Sequence, residues 1–117
     1  MIRSDPSAHL PLTPIVLHIL LALSEGERHG YAIAQEIESA TAGQVRAGPG
    51  TMYGSIQRML TASLIEEAAS RTDEDERRRY YHTTALGKAV LALELQRLVE
   101  VVAIARTKSL LPSPRGV

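Results

Sequence analysis

Residues 48–61 most constrain the fold, because their spacing gives a helix with one apolar side and one nearly bare side. The apolar residues follow the i, i+4, i+7 and i+8 spacing of a helical stripe, through Met52, Ile56, Met59 and Leu60. The other side is small or polar and consists of Gly50, Thr51, Gly54, Gln57, Arg58 and Thr61. Pro49 suits the first helical turn, and Gly48 suits the cap before it. The sequence therefore predicts a helix that buries one stripe and exposes the other side.

Gly54 is the least expected residue of this helix, since an interior glycine destabilises a helix by about 1 kcal/mol relative to alanine. Close approach of the helix to another surface is one reason to keep it. A hydroxyl, an amide and a guanidinium on the same side are groups that contact base edges in the major groove of DNA. We therefore interpret the stretch as a recognition helix. The alternative is an ordinary surface helix that tolerates a glycine.

The composition favours a small protein built mostly of helices. The chain has 117 residues, 44% of them hydrophobic, and its aromatic residues are four tyrosines. A core without Phe or Trp has to be made of aliphatic residues and Met on closely packed helices. The absence of cysteine excludes disulfides and thiolate metal sites and agrees with a cytoplasmic location. The apolar run from Ile15 to Leu23 is too short to span a membrane, so no membrane association is expected.

The formal net charge is zero, which disfavours nucleic acid binding, because its affinity comes largely from neutralised phosphates. The distribution of charge matters more than its sum. Arg77, Arg78 and Arg79 follow an acidic run, Asp73–Glu76, and concentrate positive charge at one point. The acidic run lacks the spaced ligands of a calcium loop and is interpreted as a solvated loop tip. A neutral chain is therefore compatible with a local basic edge.

The first predicted helix follows a segment without a clear pattern. Residues 1–11 show no sustained period and are expected to form a flexible N-terminal arm. Thr13 and Pro14 then supply a hydroxyl cap and a first-turn proline for a helix that runs to about Ser24. This helix is apolar nearly all round, which implies burial on two sides, one of them available to a partner chain.

A second helix precedes the recognition helix. The segment Glu25–Arg28 has the composition of a turn, and His29-Gly30 opens a helical pattern that should stop near Gly43. Residues 44–47 are a short connector to Gly48. Two helices are thus expected before the recognition helix.

After the recognition helix the pattern changes to short runs of β-forming residues, 64–68 and 78–83, on either side of a polar segment, 70–76. These runs predict a β-hairpin. Two helices, a recognition helix and a hairpin make a winged helix-turn-helix, in which the hairpin lies beside the recognition helix on the DNA. The predicted fold is mostly α with a β wing, and residues 12–83 form the DNA-binding domain.

A long helix is predicted for residues 84–111. A hydroxyl cap is available from Thr83-Thr84 at its start, and Pro112 closes it. Residues 112–117 are a tail without readable structure.

The apolar residues of this helix predict a dimer. They step by four, three, four and three through Leu91, Leu95, Leu98, Val102 and Ala105, which is the heptad seam of a helix that pairs with another helix. Leu86, Val90 and Leu93 lie partly off the seam and are expected to pack on the domain. The alternative is a single helix folded back on its own core. The seam continues past the length that so small a domain covers, so we predict a homodimer.

No pattern of catalytic or metal-binding residues is found. His9, His18, His29 and His82 are scattered, without the spacing of a helical metal site. The chain has neither a Gly-x-Ser-x-Gly elbow nor a glycine loop that cradles phosphate. We expect no enzyme activity, no catalytic residues, no metal and no cofactor.

Three short motifs resemble a known family, the PadR-like transcriptional regulators. They are His29-Gly30-Tyr31-Ala32-Ile33 at the second helix, Pro49-Gly50-Thr51-Met52-Tyr53 at the third, and Tyr80-Tyr81 with Thr84 and Gly87 after the wing. The resemblance spans most of residues 12–90. It implies a winged helix that dimerises through its C-terminal helix and usually represses transcription. The chain departs from the family at Gly54, commonly proline, at Ser63, commonly glycine, and at Thr83, commonly apolar.

The resemblance also bears on the ligands. A small-molecule effector between the helices of the dimer is consistent with it, although a chain without Trp or Phe offers no stacking platform for a planar ligand. The other expected partner is double-stranded DNA. A two-fold dimer should read an operator with inverted half-sites about one helical turn apart.

The residues of the expected DNA interface divide into two roles. Thr51, Gln57 and Arg58 are predicted to contact bases, with Gly54 allowing close approach. Phosphate or minor-groove contacts are predicted for Arg77, Arg78 and Arg79, of which the first and third share one face of the strand. Tyr31 and Tyr53 are candidates for phosphate contacts or for core packing, and Tyr81 is expected in the core. The alternative function is a winged-helix module that binds protein.

Overall fold

Four α-helices and three short strands make up the part of the chain that the computed structural model describes, residues 5–68 and 78–112. The helices are α1 (Pro14–Leu23), α2 (Gly30–Ala40), α3 (Pro49–Thr61) and α4 (Ala85–Thr107), and a 3-10 helix (Pro6–His9) precedes them. The strands are β1 (Arg28–His29), β2 (Ile65–Glu67) and β3 (Tyr80–Thr83). The predicted winged-helix architecture is confirmed. Within these ranges no helix combines the length and the apolar character that crossing a membrane requires.

The helices begin where the sequence places their caps. The Thr13 hydroxyl accepts a hydrogen bond from Val16 N–H at 3.4 Å, and the Thr84 hydroxyl accepts one from Gly87 N–H at 2.9 Å. A side-chain oxygen at this position satisfies one of the backbone donors that a helix start leaves unpaired. At α3, Gly48 precedes the first-turn proline without a side-chain cap. The predicted starts of these three helices are therefore confirmed.

The sheet has one strand more than the predicted hairpin. Strands β2 and β3 pair antiparallel, with Ile65 opposite Thr83 and Glu67 opposite Tyr81. Strand β1 pairs with the other edge of β3, so the strand order is β1-β3-β2. Arg28 therefore belongs to a strand, although the sequence placed it in a turn. Residues 69–77, which include the expected hairpin tip and Arg77, lie outside the described part of the chain.

Gly87 allows α4 to start close to the wing. A Cβ atom at this position would collide with the Leu64 carbonyl oxygen and with the Thr83 side chain. The Thr84 hydroxyl also donates to Ser63 O at 2.6 Å. This glycine of the third motif is therefore required by close packing between the first turn of α4 and the chain entering β2.

A single core lies between the helices and the inner face of the sheet. Its buried side chains are Ile19, Leu20, Ala22, Leu23, Ile33, Ile37, Met52, Ile56, Met59, Leu64, Ile65, Tyr81 and Val90. Tyr81 is only 7% exposed, as expected for a core residue. Its burial, together with the nearby Glu67 carboxylate, raises the pKa of the Tyr81 hydroxyl.

Helix α4 has two unlike halves. Gly87, Val90 and Glu94 are buried in the first half, where Leu91 of the predicted seam also packs against the core. None of the described residues after Glu94 in α4 is fully buried. Leu93 is 41% exposed, so the expectation that it packs on the domain was wrong. About 20 Å of helix, at 1.5 Å per residue, thus extends beyond the last buried residue.

The helix ends earlier than the sequence suggested. Its last residue is Thr107, whereas the pattern continued to Leu111. Ser109 takes a φ of 60°, and Leu110 N–H donates to Ala105 O at 2.9 Å. A left-handed residue with this bond closes a helix without proline.

The segment before α1 is fastened to α4. Residues 6–9 form the 3-10 helix, where a flexible arm was expected, and Leu12 N–H donates to Glu94 Oε2 at 3.0 Å. Glu94 is 1% exposed and also accepts from Arg97 Nε at 2.6 Å. The hydrogen bonds from Arg97 and Leu12 outweigh burial and lower the pKa of the Glu94 carboxyl. No sequence pattern predicted this ion pair between a buried carboxylate and a partly exposed arginine.

Candidate nucleic-acid interface

Helix α3 has one buried side and one solvent side, as the spacing of its apolar residues predicted. Met52, Ile56 and Met59 are buried in the core, and Leu60 is partly buried. On the other side, Thr51, Tyr53 and Arg58 are exposed, and Gly54 and Gln57 are partly exposed. All the side chains predicted to meet DNA from this helix thus reach its solvent side.

The glycines of this side are not required by packing within the chain. A Cβ added at Gly48 or Gly50 would have no neighbour within 4 Å. At Gly54 the nearest atom would be Arg58 Nη1 at 3.5 Å, which is an ordinary van der Waals contact. The backbone of α3 is therefore open to a close approach from outside.

Arg58 is exposed, and its side chain folds back along α3. Its Nη2 donates to Ser55 Oγ at 3.2 Å, and its Nη1 is near Gly54. Ser55 is completely buried. Ser55 was not predicted as a site residue, because a serine in the middle of a helix has no distinctive pattern.

The start of α2 presents a tyrosine beside α3. Tyr31 is 68% exposed and Tyr53 is 65% exposed, so core packing is ruled out for both. A Cβ added at Gly30 would lie 3.7 Å from Ile56 Cδ1, which shows how closely α2 crosses α3. The close crossing explains why glycine suits the first turn of α2.

His29 caps α2 from strand β1. Its Nδ1 accepts from Ala32 N–H at 3.1 Å, which requires that this nitrogen carries no proton. The ring also makes an edge contact with Tyr80, with centroids 5.2 Å apart. This histidine of the first motif therefore has a structural role that links β1, α2 and β3.

Arg78 and Arg79, the two wing arginines in the described part of the chain, have different neighbours. Arg79 forms an ion pair with Glu67, with Nη1 and Oε2 3.3 Å apart. Arg78 Nη1 lies 3.2 Å from His29 Nε2. Both arginines are exposed, and an exposed ion pair contributes only about 0–1 kcal/mol. Arg79 can therefore exchange Glu67 for another anion at little cost.

Acidic side chains also lie close to His82 of β3. His82 Nε2 is 2.9 Å from Glu66 Oε1, and His82 Nδ1 is 3.9 Å from Glu27 Oε2. Within residues 5–68 and 78–112 no group of three or more His, Asp or Glu side chains is arranged to hold a metal ion. The surface of the sheet thus carries both signs of charge.

The family follows from comparison with known proteins. The sequence model of the Transcriptional regulator PadR-like family matches residues 19–93, which is more than half of the chain. The chain belongs to this family. An uncharacterized protein X from Lysinibacillus sphaericus is 34% identical over 102 residues, which cover 86% of this chain and 89% of that protein.

Solved structures of the family have the same fold. A PadR family transcription regulator from Clostridium difficile superposes with a TM-score of 0.69 at 26% identity, over 81% of this chain and 97% of that one. A PadR-like transcriptional regulator from Bacillus cereus gives a TM-score of 0.69 at 23% identity, over 84% and 93%. The resemblance inferred from the three motifs is thereby confirmed, as is the winged-helix fold.

Proposed function

We propose that the protein is a cytoplasmic, sequence-specific DNA-binding regulator, a repressor that binds an inverted-repeat operator as a homodimer. The observation that carries the proposal is the outer side of α3. Thr51, Gln57 and Arg58 reach solvent there, beside glycines that no contact within the chain requires. This combination suits a helix that enters a major groove.

The neighbouring elements supply groups that suit the DNA backbone. Tyr31 and Tyr53 expose most of their surface on α2 and α3, and a phenolic hydroxyl can donate to a phosphate oxygen. Arg78 and Arg79 are exposed at the start of β3. Their proposed contacts are to phosphates or the minor groove, and Arg77 would extend this set.

A second function, binding to another protein, is favoured by the charge of the sheet. Glu27 and Glu66 lie beside His82, Glu67 pairs with Arg79, and the whole chain has no net positive charge. Such a surface attracts DNA weakly. The two functions differ in how binding responds to salt and to DNA sequence.

Selection of bound sequences from a random DNA pool tests the main proposal, because it would also give the operator. An inverted repeat is expected, and footprinting should show two half-sites about one helical turn apart. Recovery of no common sequence would favour the protein-binding function. Protection of one asymmetric half-site by a single chain would contradict the dimeric operator complex.

Two alanine variants then separate the roles of helix and wing. Arg58→Ala should lose about 1–3 kcal/mol of discrimination at one operator position. Arg79→Ala should weaken binding to operator and random DNA alike and reduce the salt slope by about one unit. If Arg58→Ala discriminated between operator and random DNA as well as the native protein does, α3 would not be the helix that recognises the bases.

A further inference from the structure

Ser55 is the only fully buried polar side chain among the described residues of α3, and it forms a hydrogen bond with an exposed arginine. Its exposed fraction is 0%, so the hydroxyl cannot reach a ligand that approaches α3 from solvent. Its oxygen nevertheless accepts a hydrogen bond from Arg58 Nη2 at 3.2 Å. Ser55 can therefore act on binding through Arg58, although it cannot touch DNA itself.

The guanidinium of Arg58 also lies beside Gly54. The second terminal nitrogen of Arg58, Nη1, lies 3.5 Å from the position that a Cβ of Gly54 would occupy. The Arg58 side chain thus turns back along α3, with one nitrogen on a buried acceptor and the other over a bare stretch of backbone. An exposed arginine usually samples many rotamers, and ordering such a side chain on binding costs about 0.5–1.5 kcal/mol.

We propose that Ser55 is a positioning residue, which holds the Arg58 guanidinium in the orientation used to contact DNA. This inference rests on the proposed function. The hydroxyl restricts the arginine before DNA arrives, so less conformational freedom is lost on binding. Ser55 thereby influences which base Arg58 contacts without touching DNA itself.

A double-mutant cycle measures the coupling between the two residues. The native protein, Ser55→Ala, Arg58→Ala and the double variant are compared for binding to the selected operator and to random DNA. Ser55→Ala should weaken operator binding by about three- to tenfold, the factor that corresponds to ordering one long side chain. In the Arg58→Ala background the same substitution should have no effect, because the group that it positions is absent.

A control variant and further measurements distinguish an effect of Ser55→Ala on folding from an effect on the position of Arg58. Ser39→Ala, at an exposed site of α2, is the matched serine variant and should bind as the native protein does. Urea unfolding should show that Ser55→Ala remains folded. In the free protein, NMR of the Arg58 guanidinium should show faster side-chain motion in Ser55→Ala than in the native chain.

The outcomes are distinct. Loss of binding in Ser55→Ala that persists unchanged in the Arg58→Ala background would overturn the positioning role. Tighter operator binding by Ser55→Ala would also overturn it. That result would mean that the hydrogen bond between Ser55 and Arg58 competes with DNA. If the native protein recognised no DNA sequence, the proposed function itself would fail, and the NMR comparison would still test whether Ser55 holds Arg58.

Discussion

Ser63 holds a backbone conformation that glycine adopts more readily. Its φ is 63°, and it follows α3, where Leu64 N–H donates to Met59 O at 2.9 Å. The Ser63 N–H donates to Leu60 O at 3.0 Å. This pair of bonds is the Schellman arrangement, in which glycine is the usual residue. The departure of the chain from the family at this position thus places a side chain in a crowded conformation.

We expect Ser63→Gly to raise the free energy of unfolding by about 0.5–1 kcal/mol, because glycine lacks the Cβ that crowds this conformation. Urea unfolding of the two proteins measures the difference. Ser39→Gly, which lies in α2, is the control and should lower stability by a similar amount. A loss of stability in Ser63→Gly as well would show that its side chain contributes more than its backbone conformation costs.

Glu94 connects two parts of the chain that are far apart in sequence. Its carboxylate accepts from Leu12 N–H and from the Arg97 guanidinium, and it is buried. Glu94→Gln should lower the free energy of unfolding by about 1–3 kcal/mol, because the amide keeps the shape but places a donor against one of these donors. Urea unfolding near neutral pH measures the loss. The same substitution at exposed Glu100 should change stability little.

The Glu94 contribution should depend on pH in a defined direction. The pKa of this carboxyl is below its usual value of 4.5, so the folded state favours the ionised form. The stabilisation is complete above the usual pKa and is lost as pH falls through the lowered pKa of the folded state. The stability difference between the native protein and Glu94→Gln should therefore shrink in acid. A difference that stayed constant from neutral pH to well below 4.5 would contradict this.

Single residues were predictable where a period or a cap defines them. Tyr81 follows the alternation of its strand, and Thr84 follows the rule for helix caps, and both have the expected environments. Glu94 and Ser55 were not predictable. A polar residue within a helix is usually exposed, and its burial depends on contacts that only the tertiary structure supplies.

At the scale of the element, Gly54 lowers the stability of α3, and no contact within the chain requires a glycine there. Gly54→Ala should raise the free energy of unfolding by about 1 kcal/mol, since the added methyl meets nothing closer than Arg58 Nη1 at 3.5 Å. The same methyl should weaken operator binding by about tenfold, because it fills the space through which the backbone approaches DNA. Thermal unfolding and binding assays on one preparation test both effects. Higher stability with unchanged binding would favour an ordinary surface helix.

The elements missed by the sequence analysis are short and depend on distant partners. Strand β1 has two residues, which is too few to show alternation, and it exists because Arg28 pairs with Tyr81. The 3-10 helix at residues 6–9 contacts α4, at the other end of the chain. By contrast, α1, α2 and α3 have long apolar patterns with caps at or near their starts, and their bounds were predicted to within a few residues.

At the scale of the whole molecule, two apolar surfaces lie outside the core. Leu17 and Leu21 of α1 are partly exposed, consistent with a helix that is apolar nearly all round. On α4, Leu95 of the seam is 39% exposed and the neighbouring Val99 is 60% exposed, beyond the last buried residue. Exposed apolar side chains that continue along a helix beyond its domain are typical of an interface. They support the proposed homodimer, in which part of the predicted seam packs on another chain.

The seam is shared between the core and the proposed interface. Leu91 contacts the core, although the heptad pattern assigned it to the partner helix. A straight helix has 3.6 residues per turn, so a heptad stripe drifts around it and overlaps at one end with the side that faces the domain. The sequence could therefore locate the stripe without showing where packing on the core ends. The residues farther along α4 remain predicted to contact the partner: Leu95, Leu98, Val102 and Ala105.

Leu98→Glu should convert the proposed dimer to monomers, because a carboxylate on the seam would be buried without a partner in the interface. Sedimentation over a range of protein concentrations measures the change. Leu93→Glu is the matched control, since Leu93 is exposed and lies about 140° around the helix from Leu98. It should leave the dimer intact. Operator binding should weaken only in Leu98→Glu, because a monomer presents one recognition helix to two half-sites. An unchanged dimer in Leu98→Glu would mean that the chains associate through another surface.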